Sequence, residues 1–156
     1  MTGKGYGRVC LAGLVCAKPG QRTRLMYRML IRRGRPREVK GFSPWRFAAL
    51  LDAAHAQLGG PIVLVWDNDR RHLSAVMRAL IEACPWLTVF QLPAYAPELN
   101  PAEGGWSALK RALANLAPRG IDELAEMVAT TFKRVQYRSS LLDGCIAQTG
   151  FILEPP

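Results

Sequence analysis

Two acidic residues stand at positions where a carboxylate could do chemistry. Asp67 directly follows residues 62–66, an apolar run typical of a buried strand, and α/β proteins build their sites at the carboxyl ends of strands. Glu103 stands three residues before Trp106, on the face of a predicted helix that carries its apolar stripe. A carboxylate turned towards an apolar interior is costly unless it is paired or holds a metal ion, so Glu103 is a candidate site residue beside Asp67.

Both acids also have a simpler interpretation as parts of helix caps. Asp67 precedes a helix predicted to begin near Arg70, and Asp is a frequent N-cap residue. Asn100 suits the N-cap of the next helix, with Glu103 at the third helical position of a capping box. Three prolines, at positions 93, 97 and 101, restrict the backbone that leads to Glu103 more than a helix cap requires, which favours a functional role for this acid.

Longer motifs surround these acids, and together they resemble the motifs of DDE transposases. They read V-L-V-W-D-N-x-x-x-H at 63–72 and L-P-x-Y-A-P-E-L-N-P-x-E at 92–103. The resemblance is to mariner-type transposases and their bacterial insertion-sequence relatives, in the ribonuclease H-like superfamily. It implies an α/β fold, a ribonuclease H-like mixed sheet with flanking helices, for one catalytic domain over residues 1–156. It also implies metal-dependent DNA cleavage and strand transfer in DNA transposition.

The resemblance further implies roles for individual residues. Asp67 and Glu103 would be the last two of three catalytic acids and would hold Mg²⁺ or Mn²⁺ in a two-metal site. Hard oxygen ligands suit these ions, and the four cysteines lack the spacing of a zinc site. Five residues of the same stretch are expected to support the site or to face DNA: Asn68, His72, Asn100, Trp106 and Lys110.

The first acid of the family pattern has no counterpart in this sequence. Before Asp67 the only acids are Glu38, in a basic loop, and Asp52, within a predicted helix. Aligned by layout, the sequence begins after the family's first strand and lacks its helix-turn-helix region. We therefore expect an incomplete domain lacking the first strand, either a decayed remnant or the product of a second reading frame. An upstream transposase segment or a second copy is then an expected partner.

Positive charge is concentrated in the first 46 residues, which hold 12 of the 21 Lys and Arg residues and one of the 12 acids. This asymmetry favours a polyanion partner, here the transposon ends and the target duplex, although a solvated surface is an open alternative.

A non-catalytic nucleic-acid-binding remnant is a second open function. A small-molecule α/β enzyme lacks support because no Gly-rich phosphate loop is present. The predicted DNA contacts are Arg22, Arg24, Arg28, Arg32, Arg33, Arg35 and Arg37.

The elements that must position these residues follow an α/β pattern. The longest apolar run, 9–17, is too short to cross a membrane, so no membrane partner is expected. The four cysteines show no disulfide framework spacing, which favours reduced thiols in a cytoplasmic protein, and the resemblance to transposases implies association with the nucleoid. Strand 62–66 is expected to be buried on both faces. Strands are predicted at 9–17, 24–31, 62–66 and 87–92, and helices at 44–58, 70–84, 101–116 and 121–137.

Overall fold

The computed structural model describes residues 7–153, in which four strands and the first four of five α-helices follow the predicted order. The strands are β1 (Arg8–Cys16), β2 (Arg24–Arg32), β3 (Ile62–Trp66) and β4 (Leu87–Gln91). The helices are α1 (Pro44–Leu58), α2 (Ala75–Glu82), α3 (Pro101–Leu113), α4 (Ile121–Gln136) and α5 (Ser139–Gln148). None of the helices within residues 7–153 has the length and apolar character needed to cross a bilayer.

The strands form two small sheets. β1 and β2 are an antiparallel hairpin whose register places Arg8 opposite Arg32. β3 and β4 are parallel, with Ile62 opposite Leu87. Across the described residues the two pairs are not hydrogen-bonded to each other. The mixed α/β class is therefore confirmed, with its parallel and antiparallel strands in separate sheets.

Alternation of side chains along β1 and β2 buries the hairpin on both faces. One face, which includes Val9 and Leu25, packs against α3, α4 and α5. The other, which includes Ala12 and Met26, packs against α1. Phe132 of α4 is nearly inaccessible and anchors the first face. The hairpin is thus the central layer of the molecule.

The second sheet is covered on one face only. Leu64 and Leu87 are buried beneath α1 and α2. On the opposite face Val63 is 65% exposed and Phe90 is 58% exposed. The prediction that β3 is buried on both faces is wrong, because α3, α4 and α5 pack against β1 and β2 instead.

Local signals define some helix ends and not others. Ser43 caps α1 by accepting the Arg46 N–H at 3.4 Å, and Gly59 ends it at φ 64°, as predicted. α2 begins at Ala75, later than predicted, because Ser74 rather than an earlier Asp provides its cap. α3 ends at Leu113, three residues early, and α5 had no predicted counterpart.

Candidate active site

Asp67 and Glu103 line the same cavity, of about 220 Å³, between the carboxyl end of β3 and the start of α3. The cavity's other walls come from the residue after Asp67 and from the Pro-rich segment that follows β4. Those lining residues are Asn68, Leu92, Pro93, Ala94, Tyr95, Ala96, Pro97 and Asn100. The structure therefore brings together the two acids that the sequence placed 36 positions apart.

Asp67 is held through one of its two carboxylate oxygens. His72 Nδ1 lies 3.0 Å from Asp67 Oδ1, and the Asp69 N–H donates to the same oxygen at 3.1 Å. The His72 ring stacks on Trp66, with ring centroids 4.3 Å apart, and meets the edge of Phe47 at 5.2 Å. Oδ2 of Asp67 makes no hydrogen bond within the described residues, so it is available to a ligand.

Two contacts fix the segment that carries Asp67. The Asn68 side chain donates to the Leu92 carbonyl at 3.1 Å and so ties the end of β3 to the Pro-rich segment. Asp69 accepts two hydrogen bonds from the Arg71 guanidinium, at 2.5 and 2.8 Å. These side-chain hydrogen bonds are the main reason that the pKa of Asp69 is lowered to about 2.

Glu103 is placed by a helix start that does not use its carboxylate. The Asn100 side chain accepts the Ala102 N–H at 3.1 Å, which makes it the N-cap of α3. The Asn100 N–H donates to the Pro97 carbonyl at 3.0 Å, so the reciprocal half of a capping box does not form. The half-buried Glu103 carboxylate has no hydrogen bond or ion pair within residues 7–153. The carboxylate oxygens are therefore free to act as ligands.

Tyr95 lines the cavity, and no role for it was predicted from the sequence. Its side chain is fully exposed and its φ is 60°, a left-handed backbone conformation that is unfavourable for an aromatic residue. The tyrosine within L-P-x-Y was visible in the motif, but nothing in the local pattern predicts a left-handed conformation there.

The two remaining candidates on α3 lie apart from this cavity's lining residues. Trp106 packs edge-on against Phe132, with ring centroids 5.7 Å apart, and approaches Gly13 of β1. It contributes to the core beneath the hairpin. Lys110 is exposed in the last turn of α3, where a cation complements the helix dipole.

Two of the seven candidate DNA-binding arginines make side-chain contacts with α4 or its carboxyl end. The Arg22 guanidinium donates to the Tyr137 carbonyl at 2.6 Å, at the carboxyl end of α4. Arg33 makes a bidentate ion pair with Asp122 in the first turn of α4, at 2.6 and 2.9 Å. Both contacts join the basic region to α4, so these two side chains support the fold.

The side chains of the other five arginines make weaker hydrogen bonds within the chain or none. Arg24 makes long contacts, including one of 3.5 Å to the Gln57 carbonyl, and Arg28 donates to the adjacent Tyr27 carbonyl. Arg32 is half-buried, and its Nε has no hydrogen-bond partner in the described part of the chain. Two of the seven combine an exposed side chain with the absence of a side-chain hydrogen bond or ion pair in residues 7–153, and they have the most freedom to meet a polyanion: Arg35 and Arg37.

The donors around the cavity fit one divalent cation with hard oxygen ligands. Mg²⁺ is commonly held by one or two carboxylates together with waters and substrate phosphates. Asp67 and Glu103 provide two carboxylates on one cavity. Among the described residues, no cluster of three or more His, Cys, Asp or Glu side chains is arranged to bind a metal. The described residues therefore offer two carboxylate ligands on this cavity.

Comparison with known proteins gives consistent results. A family model described as DDE superfamily endonuclease matches residues 10–125. Solved structures of the Mos1 transposase catalytic domain, with raltegravir and Mn or with raltegravir and Mg, are 16% identical at a TM-score of 0.52. The match to the structure with Mn covers 94% of this chain and 84% of the Mos1 chain. The match to the structure with Mg covers 94% of this chain and 85% of the Mos1 chain.

A Mos1 paired-end complex with the left transposon end has the same identity and TM-score and covers 95% of this chain but 55% of its own. No curated protein matches. The likeness to the Mos1 structures confirms the ribonuclease H-like fold. With the match over residues 10–125, the chain belongs to the DDE superfamily endonuclease family.

Proposed function

We propose that Asp67 and Glu103 bind a divalent cation, Mg²⁺ or Mn²⁺, for the cleavage and strand transfer of DNA in transposition. The observation that carries this proposal is the half-buried Glu103 carboxylate, which has no partner in residues 7–153 and lines one cavity with Asp67. The Mos1 structures with Mn and with Mg support the choice of ion.

The chain's own residues would prepare the site in three ways. Asp67 and Glu103 would supply oxygen ligands to an ion that neutralises charge on the phosphodiester. His72 holds one Asp67 oxygen and leaves the other to the cavity. The Pro-rich segment that follows β4 forms the wall against which the DNA strand would lie. These residues bind and orient, and they provide two of the three acids that the reaction needs.

The third acid is expected from a segment that joins the two sheets. Leu14 of β1 and Ile62 of β3 each pack in both of the apolar clusters beneath α1, so the sheets meet along these strands. In the described residues neither strand is hydrogen-bonded to the other sheet. An extended segment with a carboxylate, from an upstream transposase segment or a second copy, would pair with these strands and complete the ligand set.

The metal proposal is tested by Mn²⁺ titration of the 156-residue chain, with free Mn²⁺ measured by electron paramagnetic resonance. We expect one bound ion and a loss of affinity of at least tenfold in Asp67→Asn and in Glu103→Gln. Glu98→Gln is the matched control, because Glu98 is an exposed acid in the same segment. Equal Mn²⁺ affinity in all four proteins would show that the two acids do not hold the ion.

A non-catalytic nucleic-acid-binding function is the second candidate, and the exposed side chains of Arg35 and Arg37 favour it. Such binding would persist in a chelator and weaken steeply with salt. Binding that instead requires Mn²⁺ and the two acids would identify the cavity as the site of DNA contact. Under either function DNA is the partner, and a nucleoid-associated location is expected.

A further inference from the structure

The loop between β2 and α1 holds an anion on its backbone. The Glu38 carboxylate accepts hydrogen bonds from the N–H groups of three consecutive residues: Arg33 at 2.6 Å, Gly34 at 2.8 Å and Arg35 at 3.2 Å. Consecutive N–H groups that converge on one anion form a nest, a concavity that also binds phosphate groups.

Two backbone features build this nest. Gly34 has φ 75°, and a left-handed residue within such a run turns neighbouring N–H groups to one side. Pro36 and Arg37 lie in a turn that the Glu38 N–H closes by donating to the Arg35 carbonyl at 3.3 Å. This turn returns the Glu38 side chain over the three N–H groups. Arg37 adopts φ 64°, which is unfavourable for a residue with a Cβ.

The cationic side chains around the nest favour a ligand with more than one anionic group. Arg35 and Arg37 flank it with exposed side chains. The backbone hydrogen bond from Arg33 and, to a smaller extent, the charge of Arg32 lower the pKa of Glu38. Arg32 also keeps a buried Nε that lacks a hydrogen-bond partner within the described residues. One carboxylate therefore stands among several cationic groups and three N–H donors.

We propose that the nest formed by the N–H groups of residues 33–35 binds a phosphate of the nucleic-acid backbone, and that Glu38 occupies it as an internal mimic until DNA displaces it. This inference rests on the proposed DNA-binding function and deepens it. Phosphate and carboxylate oxygens accept the same hydrogen bonds. A DNA strand also presents neighbouring phosphates to the flanking arginines, which the single Glu38 carboxylate cannot do. Because a backbone phosphate carries no base identity, Glu38 lowers affinity for all sequences alike.

The nest itself is tested with inorganic phosphate, observed through the amide resonances of residues 33–35 in ¹⁵N NMR spectra. In Glu38→Ala we expect these resonances to move at phosphate concentrations about tenfold lower than in the unmodified chain. Glu82→Ala is the control, because it removes an equal charge from an exposed position on α2. Amide resonances that stay unmoved by phosphate in Glu38→Ala would overturn the proposal.

The DNA assignment is tested separately by the binding of a labelled duplex over a range of salt concentrations. We expect Glu38→Ala to bind roughly three- to tenfold more tightly, with a salt slope steeper by about 0.9, the value for one added phosphate contact. Glu38→Gln keeps an acceptor for the loop and should give a smaller gain of the same sign. Adding Gly34→Ala to Glu38→Ala should remove the gain, because Ala disfavours φ 75°.

The two measurements separate the possible failures. Phosphate-dependent shifts at residues 33–35 with unchanged duplex affinity would overturn the assignment to nucleic acid and leave a site for free phosphate only. Loss of duplex binding in Arg35→Ala/Arg37→Ala together with no gain in Glu38→Ala would uphold the DNA-binding function and overturn the role of Glu38.

Discussion

His72 Nδ1 lies 3.0 Å from Asp67 Oδ1, and this contact joins the two ends of the D-N-D-R-R-H segment. The imidazole is parallel to the Trp66 indole and only 16% of the side chain is exposed, so its position is set by packing. A carboxylate fixed through one oxygen by an immobilised ring is pre-organised, which lowers the cost of binding a cation.

We first predict that His72→Phe weakens Mn²⁺ binding by about tenfold, the lower end of the range for partners that orient a ligand. Phenylalanine keeps the stacking on Trp66 and removes the nitrogen that holds Asp67. His72→Asn should recover part of the affinity, because its amide can donate to a carboxylate. The measurement is Mn²⁺ titration alongside thermal unfolding, and equal affinity in both variants and the unmodified chain would contradict the role given to His72.

The second prediction concerns strain at Tyr95. Its φ of 60° is unfavourable for a tyrosine and its side chain buries nothing, so Tyr95→Asn should raise the free energy of unfolding by about 0.5–1 kcal/mol. Tyr95→Val is the opposing variant, since a β-branched residue tolerates this conformation least, and it should destabilise the protein. Denaturant unfolding measures both. A destabilised Asn variant would show that the tyrosine ring makes a contribution that its exposure does not reveal.

The third prediction separates the arginines by their partners. Arg35→Ala/Arg37→Ala should weaken duplex binding for all sequences and reduce the salt slope by about 1.8, which corresponds to two phosphates. Arg22→Ala should leave the slope unchanged and lower stability by about 1 kcal/mol, because its guanidinium donates to carbonyls at the end of α4. Salt-dependent binding and thermal unfolding distinguish the two classes. A slope that changes equally in both variants would remove the distinction.

The fourth prediction is a pH dependence at Asp69. Hydrogen bonds from the Arg71 side chain lower the pKa of Asp69 to about 2, below its ordinary value of 3.8. A lowered pKa contributes stability that is present above about pH 4 and is lost as the pH falls towards 2. We expect Asp69→Asn to be less stable at pH 7 by about 1 kcal/mol, after allowance for solvent screening, and equal in stability near pH 2. Unfolding at several pH values is the check, and a pH-independent difference would contradict it.

Much of this fold was predictable because its signals are local. Ser43 and Gly59 lie in the sequence beside the helix ends that they define, and the apolar run that forms β3 was predicted with its bounds. The exposure of Val63 could not be predicted from the sequence, because it depends on which sheet α3, α4 and α5 cover. The apolar periodicity of a helix shows that one of its faces is buried, but it does not show which distant strand that face packs against.

The candidate site shows the same division between local and distant information. The motifs located Asp67 and Glu103, and chain topology placed both on one cavity. The pairing of Arg33 with Asp122 joins residues 89 positions apart, and no sequence pattern indicates it. Among seven arginines of similar appearance, only the structure separates the side chains that contact α4 from those that make no side-chain hydrogen bond.

The last prediction is that the 156-residue chain alone does not nick supercoiled plasmid in Mg²⁺ or Mn²⁺. A two-metal reaction needs a carboxylate that bridges both ions, and residues 7–153 place two acidic side chains on the cavity and contain no cluster of three metal-binding side chains. The comparison is with a chain extended upstream by a strand that carries an aspartate, which should nick in a metal-dependent manner and lose activity in Glu103→Gln. Nicking by the 156-residue chain that disappears in Asp67→Ala would prove this wrong and would show that another group supplies the third ligand.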